Sequence, residues 1–228
     1  MLRSSANSCI TVFCSLFKLD GAKHKIFLSH SGAQKDFVEQ LCVDLERCGY
    51  FFPFFDQRHH SLPKGKDFVP LIFEAARLCH VAVIVLSEEY LSSKWPMLEL
   101  VEFYSAQQQR GGGHKLHMLP LFFKLSIEDV KDEDRWMPIW KQHARKDDRI
   151  DVRKWSAAVK ALCKANGLRF VEDAMKKEVV YRKLVVKSIF GLSPPDLLFG
   201  RSETMVGYDR MCKVCEDCEE FHFESFVS

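Results

Sequence analysis

Trp95 and Glu99 lie four residues apart in Ser92-Ser93-Lys94-Trp95-Pro96-Met97-Leu98-Glu99-Leu100, soon after the apolar run Val81-Ala82-Val83-Ile84-Val85-Leu86. A flat aromatic face and a carboxylate one helical turn apart can seat a planar ring and meet positive charge that develops beside it. The apolar run reads as a fully buried strand. Pro96 fits only near a helix start, so a helix is expected from about Ser93. At about 100° per residue, Met97, Leu100, Val101 and Tyr104 make one apolar stripe, with Trp95, Glu99 and Glu102 on the opposite side. The pair is thus expected away from the core, beyond the end of a buried strand, where open α/β sheets bind ligands. Glu102 is the second carboxylate of this face but lies nearly a turn further from the strand. Spacing alone more often describes a solvated helix face with a partly packed aromatic; the strand-end position, with the ordered motifs around it, is what favours a site.

The elements needed to position this pair follow from periodicity and turn residues. Lys25 to Ser29 reads as a first strand ending in the turn signal Ser29-His30-Ser31-Gly32. An amphipathic helix carrying Phe37, Leu41, Val43 and Leu45 follows, with Gly49 just past its end. Tyr50 to Phe55 reads as an aromatic second strand, opening into a polar loop from Asp56 to Lys66 that holds Pro63 and Gly65. A helix from Phe68 to Leu78 precedes the Val81 to Leu86 strand. After Gly111-Gly112-Gly113, a fourth strand is expected over Leu116 to Leu125. Helical stretches over Glu128 to His143 and Val152 to Ala165, a short strand over Leu168 to Val171 and a helix over Lys176 to Phe190 complete the series. Ser193-Pro194-Pro195 marks a domain edge. Alternating strands and helices predict βαβ units and a parallel sheet. In the order 2-1-3-4-5 the switch point falls between the first and third strands, so the loops 29–35 and 87–95 meet there. Sequence alone leaves that order open. The organisation read from this pass is a poorly ordered leader over 1–22, one domain over 23–192, and a linker and tail over 193–228.

Composition excludes little and favours an ordinary globular chain, 47% hydrophobic and 28% charged over 228 residues, long enough for one sizeable core. The formal charge of +2 gives no mandate for nucleic acid or a membrane surface. From Lys141 to Lys187 there are 14 Lys/Arg against 6 Asp/Glu, and from Arg201 to Ser228 there are 3 against 7, which reads as basic helix surfaces followed by an acidic tail. Nine cysteines, an odd number mostly in apolar contexts, suggest buried thiols in a reducing, cytoplasmic or nucleocytoplasmic compartment. The apolar stretch Cys9 to Phe17 is far too short to span a bilayer.

Several linked motifs closely resemble a plant-type TIR (Toll/interleukin-1 receptor) domain. They are Ile26-Phe27-Leu28-Ser29-His30-Ser31-Gly32, Asp56 with Leu62-Pro63-Lys64-Gly65, and Val85-Leu86-Ser87-Glu88-Glu89-Tyr90-Leu91-Ser92-Ser93-Lys94-Trp95-Pro96-Met97-Leu98-Glu99-Leu100. Leu119-Pro120-Leu121-Phe122-Phe123 and Asp129-Val130-Lys131 continue the match, which covers about Lys23 to Leu192. Met205-Val206-Gly207-Tyr208-Asp209 is similar to the lead-in of the nucleotide-binding module in plant immune receptors, although no G-x-x-x-x-G-K-[ST] loop occurs in the sequence. The resemblance implies a flavodoxin-like three-layer α/β sandwich with a five-stranded parallel sheet in the order 2-1-3-4-5. It implies self-association through TIR–TIR contacts, other TIR or nucleotide-binding immune proteins as partners, and cleavage of NAD+ at the nicotinamide–ribose bond in immune or cell-death signalling. NAD+ would be the substrate, with no cofactor and no metal. Glu99 matches the family's catalytic glutamate and Trp95 its aromatic partner; His30, Ser31 and Gly32 match the first-strand loop, and Asp56 to Asp67 the loop that gates the cleft. His30, Ser31, Gly32, Lys64, Gly65, Ser93 and Trp95 are accordingly the expected substrate-binding residues.

The chain also departs from the family. Ser29-His30-Ser31-Gly32-Ala33-Gln34-Lys35 stands where Ser-Phe-Arg-Gly and a further arginine are usual, so both phosphate-facing arginines are absent and Lys35 or Lys64 is left to replace one. Pro96 replaces the cysteine after the tryptophan, and Glu39-Gln40 replaces a Ser-His pair used in self-association.

Other constellations are weaker. Cys212-x-x-Cys215-x-x-Cys218 lacks a second ligand pair and reads better as a small apolar face. His114-x-x-His117 reads as plain surface, His59-His60 as part of the gating loop, and Cys79-His80 as packing. No Ser-His-Asp arrangement has supporting context, and the first loop offers neither the acids of a phospho-receiver nor the Ser/Thr-rich phosphate loop of a flavodoxin. The serious rival to an enzyme is a non-catalytic adaptor that signals through TIR–TIR contacts alone.

Overall fold

The computed structural model describes residues 24–50, 52–58, 61–62, 67–109, 115–170 and 175–195. The expected leader over 1–22, His59, His60, Lys64, Gly65, the 111–113 connector, His114 and the cysteine-bearing tail lie outside those residues.

Four strands, Ile26–Ser29 (β1), Val81–Leu86 (β2), His117–Phe123 (β3) and Leu168–Phe170 (β4), form one parallel sheet in the order β1-β2-β3-β4. Ser29 pairs with Ile84, Leu86 with Phe122, and Phe123 with Phe170. Alternation of side chains divides the interior in two. Ile26, Leu28, Val81, Val83 and Val85 face Phe37, Leu41, Val185 and Ile189, whereas Phe27, Ala82, Ile84 and Leu86 face Met97, Leu100 and Phe103. Every residue of β2 is fully buried. A parallel strand covered by helices on both faces has no use for polar residues, which is why its sequence is an unbroken apolar run.

Among the described residues the sheet has four strands and not the expected five. Tyr50 to Phe55 contributes a single parallel bridge, Phe54 to Phe27, on the outer edge of β1. Phe54 N donates to Ile26 O at 2.7 Å and Leu28 N donates to Phe54 O at 2.9 Å. Phe52 has φ 57°, in the left-handed region, and Pro53 carries no N–H, so the segment cannot extend upstream as a strand.

Lys35–Arg47 (α1) follows a 3-10 turn over Gly32–Gln34 and stops before Gly49, whose φ of 89° ends the helix as expected. Phe68–Leu78 (α2) has the expected bounds, with Asp67 accepting from Val69 N at its start. Glu88–Ser92 (α3), capped by Ser87, is a short helix where only a loop was expected. Lys94–Gln109 (α4) is the Trp95/Glu99 helix. The single stretch expected over Glu128 to His143 is two helices, Ile127–Lys131 (α5) and Glu133–Ala144 (α6), because Asp132 ends the first and caps the second through Arg135 N. Val152–Leu162 (α7) and Met175–Leu192 (α8) complete the fold. α1 and α8 cover one face and are joined by Arg182, 2.8 Å from Asp44 and 2.6 Å from Glu178. α2, α4 and α7 cover the other. At the far end of α1, Tyr50 Oη donates to Ser193 O at 2.8 Å, which anchors the end of the last helix. Among the described residues no helix is long and apolar enough to cross a membrane.

Gly167 is required for the approach of β4 to β3. A Cβ there would lie 2.7 Å from Pro120 O and 2.6 Å from the Phe122 ring. Gly167→Ala should therefore destabilise the fold by about 1–3 kcal/mol, read as a lower urea midpoint at unchanged slope.

Candidate functional site

The chain turns away from β2 at the β1 edge: α1 leads from β1 out to the Phe54 bridge on one face, and α2 returns to β2 on the other. Such a reversal leaves a crevice at the carboxyl ends of the strands. Four segments meet there: the end of β1, the loop behind it, the residues after Phe54, and the first turns of α4.

Glu99 is the meeting point. α4 buries Pro96, Met97, Leu98, Leu100, Phe103 and Ala106, more than one stripe, because α2 packs on one side of it and α7 on the other. The expectation that Trp95, Glu99 and Glu102 share a face away from the core is therefore corrected. Glu99 turns toward the sheet and accepts a hydrogen bond from Ser29 Oγ at 2.6 Å. Glu102 instead faces Arg77 of α2 at 3.3 Å. It also borders a separate cavity of about 290 Å³ with Phe73, Leu98, Arg149, Lys154 and Trp155.

Ser29 is buried, and its hydroxyl also lies 2.9 Å from Tyr90 Oη, which donates to Pro96 O at 3.0 Å. Glu99 keeps partial exposure as a residue, yet its carboxyl group sits deep enough to dominate its titration. Burial pushes its pKa from 4.5 up to about 7, opposed by the Ser29 hydrogen bond and His30, and reinforced by Asp56. His30 Nδ1 donates to Ser31 O at 3.0 Å, which directs Nε2 toward Asp56 Oδ1 at 3.6 Å. Burial would raise the Asp56 carboxyl, but the neighbouring His30 imidazole and Gln57 outweigh it and hold it below the usual range.

The other expected residues divide. His30 belongs to the site. Ser31 does not: it is buried, its hydroxyl donates to Gln34 Oε1, and Ser87 Oγ donates to the same oxygen at 3.0 Å. The 29–34 loop is thereby tied to the start of α3. Gly32 is exposed with open space around it, at the start of the 3-10 turn. Ser93 is half-buried between α3 and α4 and donates its backbone N–H to Tyr90 O at 3.2 Å. Trp95 is half-buried one turn before Glu99. Phe68 meets its ring edge to face at 5.4 Å, with Lys94 Nζ 4.6 Å and Arg149 5.5 Å from its ring centre. Asp147 holds both cations, at 3.1 Å from Lys94 and 2.6 Å from Arg149, and these bonds, Arg149 first, push its own pKa well down. Lys64 and Gly65 fall outside the described residues. Among the described residues no group of three or more His, Cys, Asp or Glu could hold a metal.

Ser29, Tyr90, Asp56 and Arg149 are the residues that sequence spacing did not single out. Ser29 is a polar residue closing an otherwise apolar strand, and Asp56 opens the loop that the resemblance matches to the gate of the cleft.

A two-faced α/β sheet with a partly buried glutamate at its switch point describes a fold and a candidate site rather than one activity. A family model described as TIR domain matches residues 26–163, and the chain belongs to that family. It is 30% identical over 119 residues to the Arabidopsis thaliana protein PHLOEM PROTEIN 2-LIKE A8, over 50% of this chain and 32% of that protein. It is 29% identical over 112 residues to the Arabidopsis thaliana disease resistance protein TAO1, over 48% of this chain and 9% of that protein. The chain thus spans less than half the length of these relatives. The TIR domains of the activated Roq1 resistosome superpose with a TM-score of 0.62 at 24% identity, over 74% of this chain and 100% of that one.

The glutamate's burial has a measurable consequence. A folded-state pKa above the unfolded value means that stability is fully present below 4.5 and falls as pH rises through about 7. Glu99→Gln keeps the Ser29 contact without the charge. It should match wild type at pH 4.5 and exceed it by about 1–3 kcal/mol at pH 8, read by denaturant unfolding at both pH values.

Proposed function

We propose that this chain is an NAD+ nucleosidase or cyclase of the TIR type, active on self-association in plant immune or cell-death signalling. The observation that carries this reading is the placement of Glu99. Its Oε2 is held by Ser29 at the end of β1, while Oε1 has no hydrogen bond among the described residues. Cleaving the nicotinamide–ribose bond expels a neutral leaving group and leaves an oxocarbenium-like sugar. The step needs no acid on the leaving group; it needs negative charge beside the ribose, and one carboxylate supplies it. His30 and Asp56 line the same crevice and would meet the sugar hydroxyls. The likeness to disease resistance proteins and to the Roq1 TIR domains supports the signalling role and the self-association. A cytoplasmic location accords with Cys42, Cys48, Cys79 and Cys163, which form no disulfide among the described residues.

One observation favours the adaptor reading. Trp95 is flanked by Phe68, Lys94 and Arg149, so a planar ring can reach its face only if these side chains move.

The two readings separate when concentrated protein is incubated with NAD+ and the products are resolved by mass spectrometry. The enzyme reading expects nicotinamide release that falls at least about 100-fold in Glu99→Ala. It also expects kcat/KM to rise with pH through about 7, as Glu99 ionises. Intact NAD+ at high protein concentration, or full turnover in a folded Glu99→Ala variant, overturns it.

A further inference from the structure

Three oxygen-to-oxygen contacts run in series from the site into the core. Glu99 Oε2 lies 2.6 Å from Ser29 Oγ, Ser29 Oγ 2.9 Å from Tyr90 Oη, and Tyr90 Oη 3.0 Å from Pro96 O. Both hydroxyls are almost wholly buried, Ser29 at 1% and Tyr90 at 0% exposure, so neither can turn to water for a missing partner. A hydroxyl donates once, a carbonyl never donates, and a carboxyl donates only when protonated. Counting protons along the series therefore determines its direction.

When Glu99 is ionised, only two protons serve three contacts. The arrangement that best stabilises the charge is Tyr90 to Ser29 and Ser29 to Glu99. When Glu99 is protonated on Oε2, three protons serve three contacts and every one is made: Glu99 to Ser29, Ser29 to Tyr90, Tyr90 to Pro96 O. The same atoms accommodate both charge states by reversing the chain. In neither state does a described residue engage Oε1.

We propose that Ser29 and Tyr90 are positioning residues that clamp Glu99 through Oε2 by this reversible hydroxyl chain, so that Oε1 is the oxygen presented at the strand end in either charge state. The functional consequence rests on the reading of Glu99 as the catalytic carboxylate; the clamp itself does not. The titratable groups facing Glu99 among the described residues are His30, from the loop after β1, Asp56, beyond the Phe54 bridge, and Tyr90 of α3. Neither His30 nor Asp56 touches the chain, so the two hydroxyls can be altered while the surrounding charges stay.

The test is a carboxyl 13C NMR titration of Glu99 in the full chain, assigned by its loss in Glu99→Gln, run on wild type, Ser29→Ala, Ser29→Thr and Tyr90→Phe. Ser29→Ala removes the donor to the carboxylate and should raise the midpoint by about 0.5–1 unit. Tyr90→Phe removes the acceptor that completes the protonated arrangement and should lower it. Ser29→Thr keeps the hydroxyl and should stay near wild type. General loosening would admit water and shift Ser29→Ala and Tyr90→Phe the same way, toward the ordinary carboxylate value. Shifts of one sign in both, or no shift in either, overturn the clamp. NAD+ turnover is read in parallel: Ser29→Ala should lose about tenfold at pH 7, recover part of it at pH 8.5, and be rescued by threonine. If the midpoints move oppositely while Glu99→Gln retains turnover, the clamp stands and the NAD+ reading falls.

Discussion

A carboxylate held against the end of a strand is the constraint around which this molecule is arranged. The contact between Ser29 and Glu99 spans 70 residues of sequence and joins the edge of the sheet to its central covering helix. Ionising a group there is costly, because most of its water has been removed and a second carboxylate, Asp56, lies near. A core that only needed to be stable would place an apolar residue or an amide at this point. An acid kept at such a point marks a candidate functional position.

The apolar architecture makes that placement precise. With β2 sealed on both faces, the sheet offers solvent only its rims, and the rim where β1 ends is where the chain changes sides. α4 cannot rotate to relieve Glu99, since Met97, Leu100 and Phe103 are locked on one side and Leu98 meets the α7 layer on the other. The packing of six buried side chains thus fixes the direction of a single polar one.

Much of this was legible in sequence, and the reason it was legible also explains what was missed. α2 and β2 fell where the sequence placed them because their signals are local, above all the unbroken apolar run of β2. The second strand was misjudged because Tyr50 to Phe55 has strand composition, whereas Phe52 takes a left-handed conformation that composition does not report. The spacing of Trp95 and Glu99 located the site but not its direction. Glu99 is oriented by Ser29 and Trp95 is flanked by Arg149, and both partners are far away in sequence. Ser31 shows the converse. Its position in the first loop suggested a ligand contact, yet Gln34 and Ser87 turn it inward.

The bond from Tyr50 to the carbonyl of Ser193 pins the end of α8 beside the close of α1. Helices in a βαβ unit run against the strands, so that junction sits at the opposite pole of the molecule from Glu99. Pro195, 3.8 Å from where a Cβ on Gly49 would lie, therefore stands at the floor of the domain rather than its mouth.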